Sequence, residues 1–188
     1  MTLSEPNDLF RGKYRIPSTR LQGWDYSSPG LYFVTICVKN RVPCLAEIVD
    51  GNARLSPIGE IVAEEWQKTA EIRANVILDA CVIMPNHLHG IVGITAPTVE
   101  TFRVETFRRN VSTIPRLKPN SLGSIIGQIK SVCTKRIWAA GCGDFGWQER
   151  FYDHIVRDDK DLNRIREYIA GNPSRWESDQ NNPGNLWM

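Results

Sequence analysis

Two histidines two residues apart, His87 and His89, stand at the start of an apolar run, HLHGIVGI. In a β-strand, residues i and i+2 point to one face, so the two imidazoles project together with Leu88 on the other side. Two neutral imidazoles on one face can hold a divalent ion through two nitrogens. They can equally be structural residues of a strand. Tyr168 and Asn172 make a second pair, four apart on a helical segment and one turn from each other. A phenol can act as a nucleophile and an amide oxygen can complete a coordination sphere. The alternative for this pair is a core tyrosine and a helix cap. The third histidine, His154, is either a group that orients Tyr168 or a metal ligand, or a structural residue of its strand.

The elements that must position these residues are legible in the patterning. Leu31–Val38 follows the turn Ser28-Pro29-Gly30 and is rich in β-branched and aromatic residues, which predicts a strand. Residues 58–70 carry apolar positions at helical spacing after Ser56-Pro57, a helix start. Val76–Met84 and His87–Ile94 predict two strands joined at Pro85-Asn86. Residues 121–138 predict a helix, with Lys130, Lys135 and Arg136 available for its outer face. Residues 147–156 predict a fourth strand. Residues 159–171 predict a last helix, capped by Asp158 or Asp159 and stopped by Gly171 and Pro173. The order is β-α-β-β-α-β-α. Its first six elements match the ferredoxin-like split βαβ plan: an α+β fold with a four-stranded antiparallel sheet and helices on one face, followed by a helix that carries the tyrosine.

At 188 residues the chain is expected to form a single domain, residues 1–188. No apolar run approaches the roughly 18 residues of a membrane span. Met1–Asp8 is polar and acidic, unlike a signal peptide. The five cysteines form no C-x-x-C pair, so zinc-ribbon and thioredoxin-like chemistry lack support, and free thiols in a reducing cytoplasm are expected. The net charge is only +2, but it is gathered. Arg11, Lys13, Arg15 and Arg20 fall in ten residues without an acid. Arg103, Arg108, Arg109, Arg116 and Lys118 face only Glu100 and Glu105 in a proline-bearing insert, residues 98–120. A solvated surface explains either run alone; two runs flanking one core suit a phosphate-binding surface. Trp24, Tyr26, Trp138 and Trp147 are candidate base-stacking platforms or core residues.

Four segments then reach a family. Met84-Pro85-Asn86-His87-Leu88-His89-Gly90 resembles the histidine-hydrophobe-histidine signature of the HUH single-strand nucleases. Tyr168-Ile169-Ala170-Gly171-Asn172-Pro173 resembles the Tyr-Ile-x-x-Asn-Pro motif of the REP-associated tyrosine transposases. Residues 30–37 and 151–158 resemble that group's first and fourth strands, and the insert at 98–120 departs from its pattern. The resemblance implies a metal-dependent transposase of single-stranded DNA, acting on hairpin or repeat sequences. Tyr168 would attack the scissile phosphate to leave a 5′-phosphotyrosine and a free 3′-hydroxyl. His87 and His89 would hold Mg²⁺ or Mn²⁺, with Asn172 as the third protein ligand. Arg11, Lys13, Arg15, Arg20, Arg108 and Arg109 would hold DNA. The implied location is cytoplasmic, at the nucleoid, and a homodimer is allowed.

Three other readings have weaker support. Gly141-x-Gly143-x-x-Gly146 sits after a helix and before a strand, the reverse of a dinucleotide site, and reads as a helix-ending turn. Cys81 with either histidine lacks the electropositive setting of a nucleophilic thiol. A non-catalytic ferredoxin-like nucleic-acid-binding module is the rival from another class. Such modules display aromatics on the sheet, where this chain displays His87 and His89.

Overall fold

A computed structural model describes residues 20–96, 118–179 and 181–182. The eight residues Gly30–Cys37, rich in β-branched and aromatic side chains, form β1. A short hairpin follows, β2 (Ala46–Val49) and β3 (Asn52–Leu55). Helix α1 spans Pro57–Ile72, started by the Ser56 hydroxyl, which accepts from the Gly59 amide at 3.1 Å. Strands β4 (Val76–Ile83) and β5 (His87–Ile94) form the predicted hairpin. Helix α2 spans Leu122–Ala139, β6 is Tyr152–Ile155, and α3 is Asp159–Gly171, capped by Asp158. A 3₁₀ segment, Pro173–Ser178, is the last of the described elements.

The main sheet has the order β4-β5-β1-β6, and all three of its pairings are antiparallel. This is the strand order of the split βαβ plan. Alternation along β1 sends Tyr32, Val34 and Ile36 to one face, where they pack with Val62 and Trp66 of α1 and Ile125, Ile126 and Ile129 of α2. Phe33 goes to the other face and packs with Ile91, Ile165 and Ile169. Helices α1 and α2 therefore cover one face, and α3 lies on the opposite one. Arg136 ties α1 to α2 through Glu64 at 2.8 Å and Glu65 at 2.6 Å.

Three expectations need correction. The β2–β3 hairpin was not among the predicted elements, although its turn is Asp50-Gly51, both at positive φ. Asp-Gly is a residue pair suited to such a hairpin turn. The fourth strand is shorter than residues 147–156. Trp147 makes only an isolated bridge to Val38, and the pairing with β1 begins at Tyr152. The reason lies in Lys130. It does not sit on the outer face of α2 but donates to the carbonyls of Gln148 at 2.7 Å and Arg150 at 3.2 Å. Those carbonyls satisfy a half-buried ammonium, and desolvation lowers its pKa to about 8. The glycine-rich segment after α2 is a helix-ending turn as expected, with Gly141 at φ +96°. No helix among the described residues is long and apolar enough to cross a membrane.

Candidate metal and nucleophile site

The site lies on the sheet face that α3 covers, and the strand register builds it. His89 of β5 stands opposite Thr35 of β1, and Thr35 stands opposite Tyr152 of β6. His87 stands opposite Cys37 at the end of β1. Leu88, between the histidines, is buried in the opposite core, as alternation requires. Gly90, next in the motif, has a packing role. A Cβ there would lie 2.4 Å from the Trp66 ring, so only glycine lets that indole reach the sheet.

The two imidazoles converge, with their Nε2 atoms 2.9 Å apart. Each is oriented from behind. His87 Nδ1 lies 2.8 Å from Asn86 Oδ1. The Asn86 amide nitrogen donates to the carbonyls of Arg41 at 3.0 Å and Asn181 at 2.7 Å, which leaves its oxygen as the acceptor. His87 therefore donates from Nδ1, and its Nε2 carries a bare lone pair. His89 Nδ1 lies 2.8 Å from the Thr35 hydroxyl, a rotor that can donate or accept and so serves either tautomer. Phe33 stacks on the His89 ring at 5.4 Å. Both histidines are buried, and burial pushes their pKa values down, His87 to about 4 and His89 to about 3. Both are neutral at pH 7, the form in which an imidazole ligates a metal.

Helix α3 brings Tyr168 over this pair. Its hydroxyl lies 3.2 Å from His89 Nε2, and its ring meets His89 at 5.2 Å and Phe33 at 6.0 Å. Burial raises the Tyr168 pKa, Asp179 adds to the rise, and Asn172 acts in the other direction. Helix α3 is held in place from two sides. His154 of β6 bonds Asp161 at 2.7 Å, and Arg166 bonds Asp79 of β4 at 2.5 Å and 2.9 Å. His154 thus anchors the helix that carries the tyrosine, and no contact places it among the metal-ligating groups.

Beyond α3, the 3₁₀ segment turns the chain back over the site. Trp176 comes to 6.1 Å from His87, and Asp179 joins the histidines. One ligand atom from each of His87, His89 and Asp179 lies within 4.8 Å of the others, a cluster that can hold a metal ion. The donors suit a divalent ion. The two imidazole nitrogens are close enough to face one ion. A carboxylate adds the negative charge that two neutral imidazoles lack. Asn172 is buried, and its side-chain oxygen has no hydrogen-bond partner. An orphaned buried acceptor at such a site is a natural further donor.

Sequence patterning brings forward His87, His89, Tyr168 and Asn172; the fold sets Tyr168 against the two histidines, and Asn172 acts on Tyr168. Asp179, Asn86 and Thr35 were not singled out. Thr35 had a signal, as the one hydroxyl-bearing residue on its side of a strand otherwise apolar there. Asp179 had none, because it lies past the last helix with no periodic relation to the histidines. Arg11, Lys13, Arg15, Arg108 and Arg109 lie outside the described residues. Arg20 packs its guanidinium over Tyr26 at 5.1 Å and Phe151 at 4.8 Å and meets Asp153 at 3.5 Å. Of the aromatic candidates, Trp24 and Trp138 are exposed, whereas Tyr26 and Trp147 pack against the core. Cys81 is no nucleophile, since burial pushes its thiol up to about 12.

An uncharacterized protein of Haemophilus influenzae (strain Rd) is 34% identical over 165 residues, which span 87% of this chain and 91% of that one. The chain belongs to that protein's family. No family model matches it. Among solved structures, that of a REP-associated tyrosine transposase bound to a REP hairpin aligns with a TM-score of 0.55. The alignment covers 83% of this chain and 73% of the transposase at 21% identity, and it shows a shared fold.

Proposed function

We propose that the protein is a metal-dependent single-stranded DNA transesterase of the transposase type. In this reading, the chain works as one domain that cleaves and rejoins DNA at hairpin or repeat sequences through Tyr168. The observation that carries it is the Tyr168 hydroxyl 3.2 Å from His89 Nε2, which itself lies 2.9 Å from His87 Nε2. A core tyrosine needs no such neighbours. The shared fold with a transposase bound to a DNA hairpin supports the substrate class. The sheet face that a nucleic-acid-binding module would offer to bases is here covered by α3 and its tyrosine.

His87, His89 and Asp179 would hold the ion, with the Asn172 oxygen as a further donor. Mn²⁺ suits the mixed nitrogen and oxygen set, and Mg²⁺ suits the oxygens. When bound, the ion would supply Lewis-acid stabilisation of charge on the phosphate oxygens. The protein's own groups supply the rest. The Tyr168 oxygen bonds to phosphorus and the bond to the 3′-oxygen breaks, leaving a 5′-phosphotyrosine and a free 3′-hydroxyl. The phenol gives up its proton as that bond forms, because burial disfavours a standing phenolate, and the departing 3′-oxygen takes one up, so protons balance over the step. The phosphodiester energy is kept in the covalent link, so a 3′-hydroxyl can reverse the step and join strands. Helix α3, clamped by Asp161 and Arg166, holds the nucleophile in register with the histidines.

The decisive test incubates the protein with labelled single-stranded hairpin DNA and Mn²⁺ and resolves products under denaturing conditions. A protein–DNA adduct is expected for the native chain and none for Tyr168→Phe or for the native chain in chelator. An adduct formed by Tyr168→Phe, or undiminished cleavage in chelator, refutes the reading.

A further inference from the structure

Beside Tyr168, between the edge strand β6 and helix α3, lies a cavity of about 380 Å³. Its walls include Phe33, Tyr152, His154, Arg164, Tyr168 and Arg175. The volume falls in the roughly 300–1,000 Å³ range of small-molecule sites. The cavity is not the metal site: none of His87, His89 and Asp179 lines it.

Its composition is specific. Tyr152 shares the sheet face of Thr35 and His89, and its side chain is 49% exposed. Phe33 supports it edge-on at 6.3 Å. An aromatic ring backed by another ring, yet half open to solvent, is a platform on which a planar group can stack. Opposite it are cations. The Arg175 guanidinium lies over Gly171, which is one helical turn past Tyr168. A Cβ at Gly171 would stand 3.7 Å from its central carbon. Arg164 is exposed on the same helix and pairs with Asp161. His154 forms the floor, its Nε2 committed to Asp161. One exposed ring, two guanidinium groups, the Glu167 carboxylate and the Tyr168 side chain thus border one space, with two cations against one acid.

We infer that this cavity seats the nucleotide adjoining the bond that Tyr168 attacks, with the base on Tyr152 and a flanking phosphate on Arg175. The inference rests on the proposed DNA chemistry for its substrate and adds a subsite, its ligand class and the residues that would set it. A stacked base fixes the backbone on one side of the phosphorus, which orients the phosphate for in-line attack. Stacking is sequence-tolerant, so the subsite grips without dictating which base enters.

The test separates this subsite from the DNA reaction. Deoxynucleoside 3′,5′-bisphosphates of the four bases are titrated into isotope-labelled protein and followed by NMR. The resonances of Tyr152, His154 and Arg175 should move together. Tyr152→Leu should weaken binding roughly tenfold, and Tyr152→Phe should retain it, since stacking needs the ring and not the hydroxyl. Arg175→Ala should weaken binding and flatten its salt dependence, because one screened charge pair is lost. Two results overturn the inference: shifts confined to other surfaces, or Tyr152→Leu binding as the native protein does. Adduct formation with an indifferent cavity would discard the subsite and leave the nuclease standing. Nucleotide binding here without any adduct would do the reverse.

Discussion

Replacing Thr35 with valine keeps the volume and shape of a buried strand residue and removes one hydroxyl. That hydroxyl lies 2.8 Å from His89 Nδ1, and the ring nitrogen has no other partner among the described residues. Two effects should follow. The first is stability: a buried polar atom left unpaired costs about 1–3 kcal/mol. For a chain of this size each kcal/mol lowers Tm by about 2–4 °C. The second is metal affinity. A metal-ligating imidazole depends on the group behind it for orientation and basicity, and losing that group typically weakens binding about 10–100-fold. The second effect is the diagnostic one. Thr35→Ser is the control, because serine restores the hydroxyl at the cost of one methyl group. The assay is a calorimetric Mn²⁺ titration of the three proteins, with Tm measured with and without saturating Mn²⁺. Thr35→Val should bind Mn²⁺ more weakly by that factor and recover cleavage at high Mn²⁺, and Thr35→Ser should stay near the native value. The reasoning fails if Thr35→Val binds Mn²⁺ as tightly as the native chain, or if Thr35→Ser is as impaired as valine.

Two more outcomes are expected. Gly90→Ala drives a methyl group into the rigid Trp66 indole and should cost about 1–3 kcal/mol of unfolding free energy by urea titration; a neutral result would mean that Trp66 moves freely. Neutralising Arg11, Lys13 and Arg15 should weaken single-stranded DNA binding and flatten its salt dependence by about 0.7 of a log-log unit per lost contact. The adduct rate at saturating DNA should then hold, and a lost rate with intact binding would place those basic residues at the reacting phosphate.

Much of this protein is written locally. Strand β1 and the β4–β5 hairpin follow from short β-branched runs bounded by Pro and Gly, and the three helices follow from apolar spacing with Ser or Asp caps. Alternation alone puts His87 and His89 on one face with Leu88 on the other, and helical spacing alone pairs Tyr168 with Asn172. Each of these is a relation within a few residues, so it survives reading the chain one segment at a time. The β2–β3 hairpin was equally local, its Asp50-Gly51 turn visible in the chain, and was missed because its strands are only four residues long.

What remained for the tertiary structure was every relation between segments distant in the chain. Tyr168 meets His89 across 79 positions, because α3 returns over the sheet face that α1 and α2 leave uncovered. Thr35 reaches His89 only through the β1–β5 register, and Lys130 shortens the last strand by taking carbonyls 18 to 20 residues further on. Asp179 reaches the site because Pro173–Ser178 turns the chain back after Asn172, and Asn86 is oriented by the carbonyls of Arg41 and Asn181. A residue's chemistry can be read from its type and its face from its spacing. Which lone pairs end up 3 Å apart is decided by burial, since only the packed core fixes where two distant segments meet.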